Sequence, residues 1–460
     1  MRDLTQGSIT RTILTMAAPM AAGMLFQTLY LLVDLYFVAA IGEAAAAGVG
    51  SAGTLMFMVM AITQILGVST VAMMSQAVGR KEQDQANRIF NQSMGLALLC
   101  AVLTLVGGLA GADAYMAQIA ADTATREEGT LFLLWFIPGM SLQFPLMAMS
   151  SALRATGIVK PGMLVQMVTV LLNTLLAPLL IAGWGTGLAW GVMGAGLAST
   201  LSVTIGVLIL VYYFIRQEKY VRFDLAQFLP DFGVYRRMFA IGLPAGGEML
   251  LMFLYFAVIY LLIQDFGAEA QAGFSIGGRI MQSIFMPTMA IAFAVGPIVG
   301  QNVGANRWDR VREACKTGIL LNAAVMLVVT VVMQISPQSL MRGFTDAPAV
   351  LEVGGHFLQI VSWNFVAQGV VFSCSGIFQG LGNTRPALLS SLLRLLIFVP
   401  VSFLVAARDD FALHEIWYVS VLAVVAQAGF SYLLVQRELR SKAHGEGSRP
   451  KGSVQPVGSA

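Results

Sequence analysis

Two carboxylates lie well inside long apolar stretches of this 460-residue sequence, and they are the side chains best placed to do chemistry. Asp34 lies seven residues before the end of one stretch, and Glu248 lies about ten residues, or about 15 Å, into another. A carboxylate among apolar side chains is costly unless it is paired, hydrated or protonated. Such a group can hold and release a proton, or it can bind Na⁺ with other oxygen ligands. Both residues are therefore candidate ion-binding groups.

No other reactive constellation is visible in the sequence. The cysteines and histidines are widely separated, and none has the spacing of metal ligands. We therefore expect no catalytic residues, no metal site and no organic cofactor, which disfavours a membrane-embedded enzyme. The residues concerned are Cys100, Cys315, Cys374, His356, His414 and His444.

The composition restricts the protein to a membrane. Hydrophobic residues make up 57% of the chain and charged residues 11%, against about 25% charged in soluble domains. This excludes a soluble enzyme, a nucleic-acid-binding protein and a disordered scaffold. The net charge of +3 is too close to balance to indicate an acidic partner.

The apolar runs that carry the two carboxylates belong to a set of twelve, each long enough to cross a bilayer at about 20 residues. The runs are continuous and lack the alternation of β-barrel strands, so an all-α integral membrane protein is predicted. The predicted spans are 13–41, 50–78, 91–111, 129–153, 161–183, 190–215, 238–264, 274–301, 315–336, 350–380, 386–407 and 415–436.

The basic residues give the predicted orientation. Of the 27 Lys and Arg residues, 22 fall on the side of the membrane that holds both termini, and three fall on the other side. The last two, Arg279 and Arg394, lie inside spans. Because cytoplasmic loops carry an excess of Lys and Arg, both termini are predicted to be cytoplasmic.

The sequence repeats itself at a constant offset of 225 residues. Pro19 aligns with Pro244, and Gln76-Ala-Val-Gly79 aligns with Gln301-Asn-Val-Gly304. Six spans per half return the chain to the same side, so the halves are parallel repeats, an arrangement typical of transporters. The predicted units are an N-lobe at 1–215, a cytoplasmic interlobe linker at 216–237, a C-lobe at 238–436 and a disordered cytoplasmic tail at 437–460.

Several motifs together resemble the multidrug and toxic compound extrusion (MATE) family of the MOP superfamily. The resemblance implies ion-coupled antiport of organic cations and drugs out of the cytoplasm by alternating access of two six-helix lobes. It also implies a monomer in a bacterial inner membrane, with small cations and the lipid bilayer as partners and no nucleic acid. The motifs are Gln27–Asp34, Gln76–Gly79, Gln301–Gly304, Leu153–Pro161, Gln379–Pro386, Asn173–Pro178 and Gly191–Ser199.

The family resemblance also implies a coupling site around Asp34. DinF-like members surround this Asp with an Asn and an Asp on helix 5 and a Thr on helix 6. Asn173 matches that Asn, and Ser199, with Thr200 beside it, matches the Thr. The second Asp is replaced by Ala177, which weakens a Na⁺ site and favours H⁺ as the coupling ion. Capping of backbone groups near the end of helix 5 is the alternative role for Asn173.

The NorM-like members carry their carboxylates on helices 7 and 10. Those positions fall on Phe253 and Gln368 here, so a C-lobe Na⁺ site of that type is not expected. The intramembrane carboxylates therefore resemble the DinF-like pattern more than the NorM-like pattern.

Other residues near the carboxylates have candidate roles. Pro19 removes one helical hydrogen bond and permits a bend in helix 1, which the resemblance links to protonation; a static kink is the alternative. Glu248 is a candidate substrate or proton site in the C-lobe, and pairing with Arg279 is a further alternative. Gln27, Tyr30 and Arg279 are candidates for lining the cavity.

A lipid-linked oligosaccharide flippase of the same superfamily is the main alternative function. Such a protein is expected to have a more basic central cavity, and two arginines inside the spans are few. The sequence therefore favours export of cations.

Overall fold

The structure is a computed structural model whose described regular elements are helices, with no strand among them. The described residues are 1–185, 187 and 189–447, with the side chains of all but 27–36, 39 and 443–447. The helices are α1 (Ile9–Ala39), α2 (Glu43–Gly79), α3 (Gln83–Ile119), α4 (Thr123–Ala155), α5 (Lys160–Ile181), α6 (Gly191–Arg216), α7 (Phe232–Ile263), α8 (Gly267–Gly304), α9 (Trp308–Ile335), α10 (Pro337–Met341), α11 (Pro348–Val361), α12 (Phe365–Leu381), α13 (Arg385–Ala406) and α14 (Leu413–Gly447). Short 3₁₀ turns occupy Leu225–Phe228, Gln264–Phe266 and Ser362–Asn364.

The helices confirm the predicted membrane-spanning architecture. In the described part of the chain, 11 helical stretches are long and apolar enough to span a bilayer, and one of them, Phe232–Gly304, contains both α7 and α8. Twelve spans in two sets of six result. Several helices begin before their apolar runs, as α3 does at Gln83, because helical hydrogen bonding continues through polar residues.

The predicted span 350–380 is two helices rather than one. The 3₁₀ turn around Trp363 separates α11 from α12, and Thr330 of α9 donates a hydrogen bond of 3.0 Å to the Ser362 carbonyl in that turn. Position 363 is the repeat equivalent of Pro138, which lies inside α4. Both repeats therefore interrupt regular helical bonding at the same position, by different means.

The predicted disordered tail at 437–460 is wrong for its first part, because α14 continues to Gly447. Side chains of this extension contact the end of the neighbouring helix. Lys442 donates a hydrogen bond of 2.6 Å to the Leu381 carbonyl, and Asn383 donates one of 2.7 Å to Glu438. These contacts stabilise the extra turns. Residues 448–460 lie outside the described residues.

The two halves pack against each other through equivalent pairs of helices. The first turns of α1 share a core with α8, in which Ile13 and Met16 pack near Val295 and Ile298, all fully buried. Reciprocally, α7 of the second half packs on α2 of the first half, so the α1–α8 and α7–α2 contacts are related by the repeat.

We call the end of the molecule that holds residue 1 and the α2–α3, α4–α5, α8–α9 and α12–α13 connections the basic end. Here the last turns of α2 and α8 cross in direct contact. A Cβ built on Gly79 would overlap the carbonyl oxygen of Gln301, and a Cβ built on Gly304 would overlap that of Gln76. Glycine is needed at both positions because backbone meets backbone.

The linker between α6 and α7 is bound to α3. The side-chain oxygen of Asn87 accepts from the Arg222 amide at 2.8 Å, and that of Gln92 accepts from the Asp231 amide at 2.8 Å. Gln92 also donates to the Leu229 carbonyl at 2.7 Å. The linker thus belongs structurally to the first half of the chain.

Candidate functional site

A polar cluster surrounds Glu248 between four helices of the second half. Ser375 of α12 donates a hydrogen bond of 2.7 Å to the Glu248 carboxylate on α7. Ser391 of α13 lies beside this carboxylate, and its hydroxyl accepts from Gln427 of α14 at 3.1 Å. The half-buried carboxylate therefore lies among hydroxyl and amide groups in an otherwise apolar helical bundle.

No basic group among the described side chains neutralises this carboxylate. Glu248 takes part in none of the ion pairs among the described side chains, and pairing with Arg279, which is exposed on α8, is not observed. Arg394 on α13 instead places its guanidinium 3.6 Å from the centre of the Tyr255 ring. A carboxylate without a basic partner is stable when it holds a proton or a cation. The cluster can therefore bind either.

The equivalent place in the first half is polar but has no charge. Gly23 aligns with Glu248, and Gln166 aligns with Ser391. A Cβ on Gly23 would lie 3.1 Å from the Gln166 side-chain oxygen, so Gln166 occupies the space beside α1. The long polar side chain at this place is therefore Gln166 of α5 in the first repeat and Glu248 of α7 in the second repeat. Of these two side chains, Glu248 in the second half is the ionisable one.

The structure brings together two of the predicted coupling residues of the first half. Asn173 on α5 donates a hydrogen bond of 3.0 Å to the Ser199 hydroxyl on α6, and both side chains are buried. The side-chain oxygen of Asn173 has no hydrogen-bond partner among the described residues, so a buried acceptor is left for a proton donor or a cation. Asp34, Gln27 and Tyr30 lie on α1, and their side chains lie outside the described residues.

Thr200 does not join this pair. Its hydroxyl accepts a hydrogen bond of 3.0 Å from the Gly139 amide and donates one of 2.5 Å to the Trp135 carbonyl. The threonine hydroxyl thus bridges the amide of Gly139, one residue after Pro138, and the carbonyl of Trp135, four residues before Gly139 in the same helix. Although Thr200 follows Ser199 in the sequence, it contacts α4 whereas Ser199 contacts α5, because adjacent residues of a helix point in different directions.

We expect Thr200→Val to reduce stability by about 1–2 kcal/mol, because the Gly139 amide and the Trp135 carbonyl lose their hydrogen-bond partner. The ion dependence of transport should be unchanged. Thermal unfolding of the purified variant measures the first effect, and flux assays in liposomes measure the second. A stable variant that transports without coupling would place Thr200 in the coupling site.

Pro19 lies inside α1 and Pro244 lies at the equivalent place in α7. Both helices continue through the proline, so each keeps a carbonyl that lacks its usual amide donor. Whether α1 bends there on protonation stays a prediction.

Sequence reasoning missed the polar residues around Glu248, which are Ser375, Ser391 and Gln427. Serine and glutamine are common in membrane helices, so their presence alone carries little information. The repeat alignment offers one signal, because Ser391 corresponds to a second polar residue, Gln166.

Comparisons with known proteins cover nearly the whole chain. The MatE family model matches residues 19–179 and again 244–404, ranges that are offset by the 225 residues of the repeat. The probable multidrug resistance protein YoeA of Bacillus subtilis (strain 168) is 22% identical, over 89% of this chain and 90% of that protein. The multidrug export protein MepA of Staphylococcus haemolyticus (strain JCSC1435) is 24% identical, over 95% of each.

Solved structures share the fold. One, of a multidrug resistance MATE family transporter of the MOP superfamily in an outward-facing conformation, has a TM-score of 0.88 at 22% identity, covering 96% of this chain and 98% of that one. The double family match and this likeness confirm the prediction of two parallel six-helix repeats.

Proposed function

Because the chain belongs to the MATE family of membrane transporters, we propose that it exports organic cations and drugs from the bacterial cytoplasm in exchange for an inward-moving ion. The multidrug proteins YoeA and MepA, which align over most of its length, support this substrate class. We place the protein in the inner membrane as a monomer, with the basic end in the cytoplasm, and the positive-inside rule supports that orientation.

The observation that carries the proposal is the carboxylate of Glu248, which lies among hydroxyl and amide groups and has no basic partner among the described side chains. This group can hold an inward-moving proton in one state and a positively charged substrate in another, because both neutralise it. The orphan oxygen of Asn173 supports a second ion site that includes Asp34. Ala177 removes one expected carboxylate there, so we favour H⁺ over Na⁺ as the coupling ion.

Alternating access is supported by the way in which the halves meet. The contact between α2 and α8 at the basic end is built on glycine, and the first turns of α1 pack on α8 in an apolar core that both halves share, whereas each half also has an apolar core of its own. Rocking of one half against the other would open the basic end by separating the contacts that the halves share, while the core within each half stays intact.

The flippase alternative has no support in the described site. Arg394 lies over the Tyr255 ring, and the cluster around Glu248 is acidic rather than basic. A cavity for a lipid-linked phosphate would need basic groups of the kind that phosphates prefer.

The test is export of ethidium by the purified protein in liposomes, under an imposed pH gradient or an imposed Na⁺ gradient. We expect the pH gradient to drive export. In a one-for-one exchange of H⁺ for a monovalent cation no net charge moves, so a membrane potential alone should not drive it. Failure of both gradients to drive export of ethidium would contradict the proposal, and export driven by Na⁺ alone would reassign the coupling ion.

A further inference from the structure

We propose that Gln76 and Gln301 form a paired clamp that holds the two lobes together at the basic end, and that releasing this clamp opens that end. The proposal rests on the alternating movement of the lobes described above. It assigns a role to the Gln-x-Val-Gly motif of both repeats, which the ion and substrate sites do not use.

Each glutamine crosses to the opposite lobe. Gln76 at the end of α2 donates a hydrogen bond of 3.0 Å to the Gly380 carbonyl of α12, and Gln301 at the end of α8 donates one of 2.8 Å to the Ala155 carbonyl of α4. The repeat offset relates Gln76 to Gln301, and it also relates Ala155 to Gly380. The two contacts are therefore the same interaction, made once in each direction.

The accepting carbonyls explain why the donor is an amide side chain. Ala155 is the last residue of α4, and Gly380 is the second-last residue of α12. The last four carbonyls of a helix have no amide donor from their own helix. Each glutamine supplies a donor from the opposite lobe, and water can take its place when the lobes separate. The contact is thus reversible, because neither state leaves the carbonyl without a partner.

The glycines of the motif complete the clamp. Gly79 and Gly304 let the two helix ends approach until a Cβ at either position would overlap the opposite glutamine's carbonyl oxygen. The close crossing brings each glutamine within reach of the other lobe. Glutamine and glycine are therefore needed together, three residues apart on the same helix.

The two halves of the clamp are unequal in strength. The Gln301 side-chain oxygen also accepts a hydrogen bond of 2.9 Å from the Leu4 amide, and Asn302 donates one of 3.2 Å to the Leu4 carbonyl. The same N-terminal segment is bound to the first lobe, where the Arg2 amide donates to the Thr156 carbonyl at 2.8 Å. Position 229, which is the repeat equivalent of Leu4, is instead bound to Gln92 of α3. Gln301 is therefore the more firmly held of the two.

The test measures the separation of the lobes directly. Spin labels on Asp84→Cys and Asp309→Cys, which are exposed repeat equivalents on α3 and α9, report the distance across the basic end. Cys100 is replaced by Ser because it is half-buried, whereas the other two cysteines are buried. Distances are recorded by double electron–electron resonance on the full chain in lipid nanodiscs.

We expect Gln76→Met to raise the ratio of long to short distances about fivefold, and Gln301→Met to raise it about tenfold, since methionine keeps the shape but removes the hydrogen bonds. The double variant should show the largest shift. Deletion of residues 2–6 should act in the same direction as Gln301→Met without changing either glutamine. Gln334→Met is the matched control, because Gln334 donates to the Gln359 carbonyl at 2.7 Å within one lobe.

An unchanged distance distribution in the double variant, or an equal shift in Gln334→Met, would overturn the clamp. The label distances do not depend on which compound is transported. Wild-type protein that exports no ethidium but opens at the basic end in the glutamine variants would therefore overturn the proposed substrate class and support the clamp. Normal ethidium export by the wild type, together with an unchanged label distance in the double variant, would support the proposed substrate class and overturn the clamp.

Discussion

Asp34→Asn is expected to abolish export driven by an ion gradient, with a fall of at least about 100-fold in the rate of ethidium movement against its gradient. The amide has nearly the same size as the carboxylate, so the packing of α1 against α5 and α8 should be kept. It cannot take up and release a proton, and it cannot neutralise a bound cation. Liposome flux under a pH gradient measures the loss, and thermal unfolding checks that the variant is folded.

Glu248→Gln is the matched variant, because it makes the same chemical change in the other lobe. Its side chain can still accept from Ser375, so the α7–α12 contact should survive. If Glu248 binds substrate, this variant should weaken ethidium binding; if it carries the ion, the variant should lose coupling and keep binding. Full export by Asp34→Asn would remove Asp34 from the coupling site and leave Glu248 as the remaining intramembrane carboxylate.

Gly79→Val should prevent the basic end from closing. The added side chain would overlap the Gln301 carbonyl oxygen, and backbone at a helix crossing cannot move aside as a flexible side chain can. We expect the labels at positions 84 and 309 to adopt mainly the long distance and export to fall about 10–100-fold, because a transporter that cannot close one end cannot complete its cycle. Gly304→Val should act in the same way, as its repeat equivalent.

Gly53→Val is the control for this effect. It lies on the same helix, α2, and a Cβ built there meets no atom within 4 Å. The control should therefore transport normally and keep the short label distance. If Gly79→Val also kept the short distance and full export, the crossing of α2 and α8 would not be the closing contact.

The sequence determined the number of spans, the repeat and the two carboxylates worth testing. Membrane helices must be about 20 apolar residues long, so the spans are visible without any knowledge of their neighbours. The offset of 225 residues likewise depends only on the order of residues, and the family match repeats it. The two matches to the family model therefore confirm the predicted repeat, which was found without any knowledge of side-chain positions.

Only the tertiary structure decided which polar groups meet. Ser199 and Thr200 are adjacent in the chain, yet one bonds Asn173 and the other bonds the backbone of α4. Glu248 acquires its hydrogen-bond partner from α12, which follows it by more than 100 residues. Such contacts depend on how each helix is rotated and where it crosses its neighbours, and an apolar run does not specify either.

The packing of the helices also decided the contacts of Gln76 and Gln301 and the extension of α14 beyond Arg437. The sequence motif of the two glutamines is visible twice, but the crossing of α2 and α8 is what turns it into a contact between lobes. The helix beyond Arg437 is stabilised by contacts with the end of α12, whereas its polar composition alone favours disorder. The sequence therefore determined which segments cross the membrane, because the length and apolar composition of each segment decide this without reference to its neighbours. The packing of those segments decided the site, because a hydrogen bond needs two partners brought together from different helices.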